Sequence, residues 1–564
     1  MILDNLLGES GYSGLAALLV LLFSLVILTK ICACRDPSQK HHSEPSIPSA
    51  PYWIPFLRNT IPFLFNSHQY LVKLRQKFGA SPIQLLVGGQ KIIYLPHSDG
   101  TASKMLKSRD LTQTPLIIKH LRDNFGMPED DLRLYFDTSD SNPSQEDHRA
   151  LHTMLSGKTL ETFIDITATQ FIKSIEEKRA QWTDWVELPD LYTFIRDELS
   201  RAQMYALCGE EIFNVAPTLM HDFWEFDKQL PDLFKGLPTW MIPKARASRD
   251  KMLSHIRAWH TRLQQSPPPP PNTTWHSIHG LRLMISRRTI WHNMSPEGQV
   301  VQDLGLIRAS ISNSTAATIW PILSTLHPTN PTLTPRILSS ITPHFTPHTL
   351  TFNPQTLPTV PLLNSLYLES LRYSTAVAIT RQPKSPTTPT SISPLKSQFR
   401  PSTTLLTFTF PAHHDPTFWN EGPLYPNNAN QRHHPIDTFF AERFLSYPDE
   451  ELTGPIQPSH PDPYSIVREH PITHTPAQDS TAKVVTSGLH DYFLPYGGGG
   501  TICPGRHFAK QEIMFAVAVV VRGLEMEVLD PGDVEKVRPD ERFSLMGNMP
   551  PDRGVRVRMR GRGG

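Results

Sequence analysis

Apolar side chains recur along this chain in three patterns: one unbroken run, one alternating hairpin and several helical repeats. The unbroken run is residues 15–28, LAALLVLLFSLVIL, where Ser24 is the single polar side chain. Extended from Gly14 to Cys34, it gives about 20 residues. At about 1.5 Å each these cross the hydrocarbon core of a bilayer, so residues 14–34 are predicted to form a transmembrane helix. From about Phe56 the chain reads as a folded body. The run IQLLVGGQKIIYL, within residues 82–95, sets a Gly-Gly turn between two apolar stretches and predicts a strand pair. Helical spacing predicts helices around 147–181, 190–208 and 215–236. Residues 303–326 are apolar and rich in small side chains, and read as one long buried helix. Pro267–Pro271 and the Pro-, His-, Asp- and Ser-rich stretch 446–480 read as surface loops. No internal repeat is visible, and the expected fold class is mainly α with minor β.

Charge orients the apolar run. Asp4 and Glu9 precede it without any Lys or Arg, whereas Lys30, Arg35 and Lys40 follow. Basic flanks stay in the cytosol, so residues 1–13 are expected in the lumen and the folded body in the cytosol. A cleaved signal peptide would need a basic segment before the apolar run, and none is there. Pro45, Pro48, Pro51 and Pro55 make residues 35–55 a semi-rigid linker before a body spanning 56–564. A length of 564 residues suggests roughly three or four domains, but one large helical domain also fits. The formal net charge of +1 lacks the basic excess of a nucleic-acid binder. The 54 prolines are about twice the usual share. They cluster, with eight between Pro328 and Pro361, a spacing that argues against a long helix there.

Of the four cysteines, Cys32 and Cys34 end the apolar run and Cys208 lies in a predicted buried helix. Only Cys503 has a chemical context, in FLPYGGGGTICPGRHFAKQEIMFAVAVVV from Phe493. Gly497 to Gly500 allow backbone conformations closed to other residues and a flat approach to something large and planar. Pro504 suits the first helical position. Phe508, Ala509, Ile513, Ala516, Val517 and Val520 then repeat at helical spacing. Free amides and the helix dipole favour a thiolate at such a place, and a thiolate there is a good axial ligand for haem iron. Alone, the pattern also fits a glycine-rich turn with a structural cysteine.

Tyr496, Gly499, Cys503, Gly505 and Ala509 resemble the haem-binding signature of the cytochrome P450 family, with Tyr496 where Phe is usual. Thr501 stands where the family carries a basic residue for a haem propionate, leaving Arg506 or His507 as candidates. Two further motifs lie upstream in the family's order. Glu369 and Arg372 are three apart and share a helical face; the resemblance implies a buried triad closed by Arg443 in DTFFAERFL, with Ala441 replacing a proline. In SQEDHRALH, Arg149 matches a family arginine that reaches a haem propionate, Gln145 replaces the usual Trp, and His148 and His152 are possible helpers.

The resemblance also implies a long helix over the haem carrying an acid–Thr pair that relays protons. Here ASISNSTAATIWPIL holds no acid, and Asn313 and Ser314 stand in that place. Asn313, Ser314, Ala317, Thr318, Ile319 and Trp320 resemble the sterol 7α-hydroxylase and prostacyclin synthase branch. As bland alternatives these are packing residues, with Ala309, Ala316 and Ala317 expected in the core.

The implied fold is the cytochrome P450 fold, with haem as cofactor and Cys503 as its axial ligand. The implied activity is monooxygenation of a bulky lipophilic molecule: a sterol, a terpenoid or another secondary metabolite. The implied partners are NADPH-cytochrome P450 reductase and the endoplasmic reticulum membrane. An oxygen-independent haem-thiolate isomerase or dehydratase, and a catalytically silent haem-binding membrane protein, are the alternatives.

Overall fold

The computed structural model describes residues 47–52, 54–97, 100–136, 143–384, 402–425, 428–450, 452–458, 467–468, 470 and 473–563. The expected membrane helix 14–34 lies outside the described residues. Among those described, no helix is long and apolar enough to cross a membrane. The described residues divide into two compact units: those within 47–112 and 380–407, and those within 113–379 and 408–563.

The first unit holds the predicted hairpin. Strands β1 (Ile83–Val87) and β2 (Gln90–Tyr94) pair antiparallel, Ile83 opposite Tyr94 and Val87 opposite Gln90. Gly88 and Gly89 turn the corner at φ 54° and 78°, the left-handed region that glycine enters without steric cost. Strand Thr404–Phe408 adds alongside β2 in parallel, with Ile92 opposite Thr404.

The second unit is helical. The helix expected over 147–181 is two, α1 (Pro143–Met154) and α2 (Lys158–Gln181), because Gly157 between them takes φ 71°. Helix α3 (Leu191–Cys208) starts at Asp190, whose carboxylate accepts from the amides of Tyr192 and Thr193 at 3.1 Å each, a capping interaction. The long buried helix α4 (Pro296–Thr325) begins earlier than its apolar pattern. Its start is set by Ser295, which accepts from the Gly298 amide at 3.1 Å, with Pro296 at the first position, where no amide is needed.

Helix α4 also runs through Pro321, which has no N–H to offer the Ala317 carbonyl one turn back. The Ser370 hydroxyl supplies the missing donor at 2.5 Å. Ser370 lies on α6 (Pro361–Ser374), so the break in one helix becomes a tie to its neighbour. Between them the proline-rich stretch still forms a helix, α5 (Leu333–Ile341). Pro335 falls in its first turn, where the absent N–H costs nothing, and the other prolines confine α5 to nine residues.

Strand β3 (Thr375–Pro383) leaves α6 directly. Helix α7 (Arg506–Gly523) follows the cysteine loop, and Phe508 stacks on Phe163 of α2 with centroids 3.9 Å apart. Strand β4 (Met546–Asn548) then pairs antiparallel with β3, Met546 opposite Val377 and Asn548 opposite Thr375.

Ser370→Ala is expected to leave the Ala317 carbonyl buried and unpaired, at a cost of about 1–3 kcal/mol. A thermal unfolding midpoint equal to that of the parent would show that the carbonyl finds another donor.

Candidate active site

The cysteine loop is closed by its own backbone. The Cys503 amide donates to the Tyr496 carbonyl at 3.0 Å. Gly497 and Gly499, at φ 69° and 63°, make the reversal inside it. Burial pushes the Cys503 thiol up, while the backbone amides of Gly505 and Arg506 and the Arg506 charge act against that rise. Arg506 Nη1 also donates to the Cys503 carbonyl at 3.0 Å. Tyr496 occupies the place expected for Phe, and its extra hydroxyl is not stranded. It meets the Tyr367 hydroxyl from α6 at 2.9 Å, and burial raises the proton affinity of both phenols.

The structure brings Glu369, Arg372 and Arg443 together with no side-chain exposure. Glu369 accepts from Arg372 Nε and Nη2 at 2.7 and 2.8 Å, from Arg443 Nε at 3.1 Å and from the Phe440 amide at 2.9 Å. The remaining guanidinium donors turn to carbonyls. Arg372 Nη1 donates to His413 and Ile436 at 3.0 Å each, and Arg443 Nη1 to Asn420 at 2.5 Å. Burial pulls Arg443 down to about 10, opposed by Glu369. His413 carries the arrangement onward, because its Nε2 accepts from the Leu494 amide at 3.0 Å. That bond seats the start of the cysteine loop and leaves the histidine proton on Nδ1. Nothing in the sequence marks His413, since it belongs to no motif.

On α1, Arg149 is exposed, and the side chain that reaches the cysteine loop is His148, with Nε2 3.2 Å from the Gly500 carbonyl. His152 stacks edge-on against it, ring centroids 4.5 Å apart. The helix is held in this rotation by Asp147, which is buried and pairs with Arg287 at 2.7 Å and the Tyr135 hydroxyl at 3.0 Å. His148 thus meets the cysteine loop, and Arg149, next to it on α1, keeps its side chain open.

Across α4, Gly305, Ala309 and Asn313 lie one turn apart and keep part of their surface open in a largely buried helix. Ala316 and Ala317 are buried as expected, whereas Ala309 is exposed rather than in the core. Asn313 Oδ1 accepts from the Asn548 amide at 3.1 Å. Ser314, expected to work beside it, points elsewhere, because successive helical residues are rotated by about 100°. Its hydroxyl accepts from Gln203 Nε2 of α3 at 3.1 Å, and Thr315 donates to Gln203 Oε1 at 3.1 Å. Beside this cluster lies Glu512 of α7, wholly buried and raised to about 8 by desolvation; Ser314 and Gln203 lower it without well-formed hydrogen bonds to its carboxyl. Glu512 and Gln203 were not legible as a pair, since their contact joins elements some 300 residues apart.

These features fit a haem. Cys503 is partly exposed, and the Gly505 and Arg506 backbone amides favour its thiolate against the burial that raises the thiol, the kind of support a thiolate ligand needs. Beside it, a Cβ added to Gly497 or Gly500 would meet nothing within 4 Å, so the loop presents bare backbone to a flat group.

Residues 48–424 and 473–553 match the family model described as Cytochrome P450. The chain is 30% identical over 545 residues to cytochrome P450 monooxygenase fsoE of Humicola fuscoatra, covering 92% of this chain and 87% of that one. It is 22% identical over 428 residues to cytochrome P450 7A1 of Oryctolagus cuniculus, covering 74% and 75%. A solved structure, retinoic acid bound cyanobacterial CYP120A1, shares the fold with a TM-score of 0.59 at 17% identity, covering 92% of this chain and all of that one.

Glu369→Ala is expected to cost about 3–5 kcal/mol, because it strands two buried guanidiniums. The readout is the yield of soluble holoprotein, and a parental yield would contradict this role for the triad.

Proposed function

The chain belongs to the cytochrome P450 family, whose cofactor is haem, and from that premise we propose that it is a monooxygenase acting on a bulky lipophilic molecule: a sterol, a terpenoid or a related secondary metabolite. Electrons come from NADPH-cytochrome P450 reductase. The observation that carries this reading is the loop around Cys503, closed by its amide on the Tyr496 carbonyl and reversed at Gly497 and Gly499, which sets a partly exposed cysteine just ahead of α7, suited as the axial ligand. When bound, haem supplies the iron at which dioxygen is activated.

The chain's own residues set what surrounds that iron. Gly305 and Ala309, small and open on α4, leave room for a wide apolar substrate. Asn313 offers an amide where an acid would relay protons; an amide holds a water or a polar substrate group by hydrogen bonds and does not itself titrate. His148, beside the Gly500 carbonyl, and Arg149 stand near enough in sequence to serve a propionate together. The match to cytochrome P450 7A1, with the Asn313–Trp320 run, supports a polycyclic substrate of sterol size. The match to fungal P450 monooxygenases supports a place in secondary metabolism.

Reconstitution with reductase, NADPH and isotopically labelled dioxygen tests the reaction once a substrate is found by comparing metabolites of strains with and without the gene. Label is expected in the product. Full turnover without NADPH or dioxygen would instead identify an isomerase or dehydratase, and a haem protein inert towards every metabolite would identify the silent alternative. Cys503→Ser is expected to lose the strongly red-shifted Soret band of the reduced carbon monoxide complex; retention of that band would reassign the ligand.

Residues 14–34 are proposed as a single membrane anchor of the endoplasmic reticulum, supported by their apolar run and the basic residues after it. Removing residues 1–35 is expected to release part of the protein from alkaline-washed membranes. A glycan acquired at a site engineered into the body would place that body in the lumen and overturn the topology.

A further inference from the structure

Asn313 is gripped from strand β4 on two sides. Its side-chain oxygen accepts from the Asn548 amide at 3.1 Å, and its carbonyl accepts from Asn548 Nδ2 at 3.1 Å. Asn548 is itself held, since its Oδ1 accepts from Thr375 Oγ1 at 2.7 Å and Ser374 Oγ at 3.3 Å. The preceding Gly547 lies directly against the amide of Asn313, and a Cβ there would fall inside the van der Waals envelope of Asn313 Oδ1.

Chemistry then settles which way the Asn313 amide faces. A backbone N–H can only donate, so the Asn313 atom that meets it must be the oxygen. The NH2 group is what remains. Among the described residues none is placed as its acceptor, and Asn313 keeps part of its surface open on the stripe it shares with Gly305 and Ala309.

We propose that Gly547 and Asn548 are positioning residues that lock the Asn313 side chain so that it presents an N–H donor, and not an oxygen, to an acceptor atom on the open side of α4. The inference rests on the reading above, that the open stripe of α4 faces the haem. Strand β4 thereby sets the polarity of the site from outside it. The glycine at 547 supplies the close approach, and the two arms of Asn548 fix the height and rotation of the Asn313 amide. A free asparagine would flip between donor and acceptor; this one is held as a donor before any ligand arrives, which removes the cost of ordering it.

Carbon monoxide bound to the reduced holoprotein is the probe. A nearby donor polarises the ligand and lowers its C–O stretching frequency. The Soret band of the same complex reports whether the haem and its thiolate are intact. Asn313→Ala is expected to raise the frequency. Gly547→Ala, which forces the amide away, and Asn548→Asp, which keeps the acceptor for Thr375 and Ser374 but sets an oxygen against the Asn313 carbonyl, are expected to raise it too. The double variant Asn313→Ala/Asn548→Asp should go no further than Asn313→Ala alone, an outcome that a general loosening of the fold would not produce. Should Gly547→Ala fail to take up haem, Asn548→Asp decides the matter. A shift in Asn313→Ala with parental frequencies in both strand variants would overturn the positioning role while leaving the haem-facing reading intact. No shift in Asn313→Ala would overturn both.

Discussion

The second unit depends on one buried carboxylate. Glu369 has no exposed surface, and a lone charge there would be expensive to desolvate. It is retained because two guanidiniums and one backbone amide surround it, and because each guanidinium has donors to spare. Those spare donors order loop backbone from His413 to Thr438 that has little secondary structure of its own. The His413 ring then receives the Leu494 amide, and so the position of the cysteine loop traces back to the ion triad on α6. A Lys in place of either Arg would be a poor substitute, since one ammonium cannot hold a carboxylate side-on and several carbonyls at once.

A second buried ion cluster lies beside the first. Arg336 of α5 pairs with Asp479 at 2.5 Å and with Glu442, the neighbour of Arg443. His474 meets Glu442 at 2.6 Å, and Tyr447 donates to Asp479 at 2.8 Å while its ring stacks on His474 at 3.5 Å. A nine-residue helix rich in neighbouring prolines is thus tied by side-chain charge rather than by length. The same local compensation recurs elsewhere: Ser370 answers Pro321 and Tyr367 answers the hydroxyl of Tyr496. Each of these two irregularities is met by one polar partner from another helix.

The site on α4 shows how neighbouring residues acquire different roles. Asn313 turns to strand β4 and open space, and Ser314 turns to Gln203 and the buried Glu512. A pair that reads as one proton relay along the sequence is divided by the helical rotation between consecutive side chains. Glu512, whose carboxyl burial raises to about 8, sits on the packed side of α4.

Local pattern was enough to read most elements. The Gly88–Gly89 hairpin, α3, the helix Leu219–Phe234 and the C-terminal three-quarters of α4 follow from apolar spacing, because burial of one face imposes its period on the residues that form it. The Cys503 loop and the members of the triad are likewise carried by short motifs whose residues must sit close together or in fixed order. What the sequence could not decide depends on contacts between distant segments. Gly157 reads as one residue in a helical pattern, and only its positive φ divides α1 from α2. Whether His148 or Arg149 reaches Gly500 depends on the rotation of α1, which Arg287 fixes through Asp147 from well over a hundred residues away. The direction of Asn313 depends on a strand more than two hundred residues later. A side chain's identity is written in the sequence, but the direction of its hydrogen bonds is chosen by whichever partner the fold brings within 3 Å, and that choice exists only in the tertiary structure.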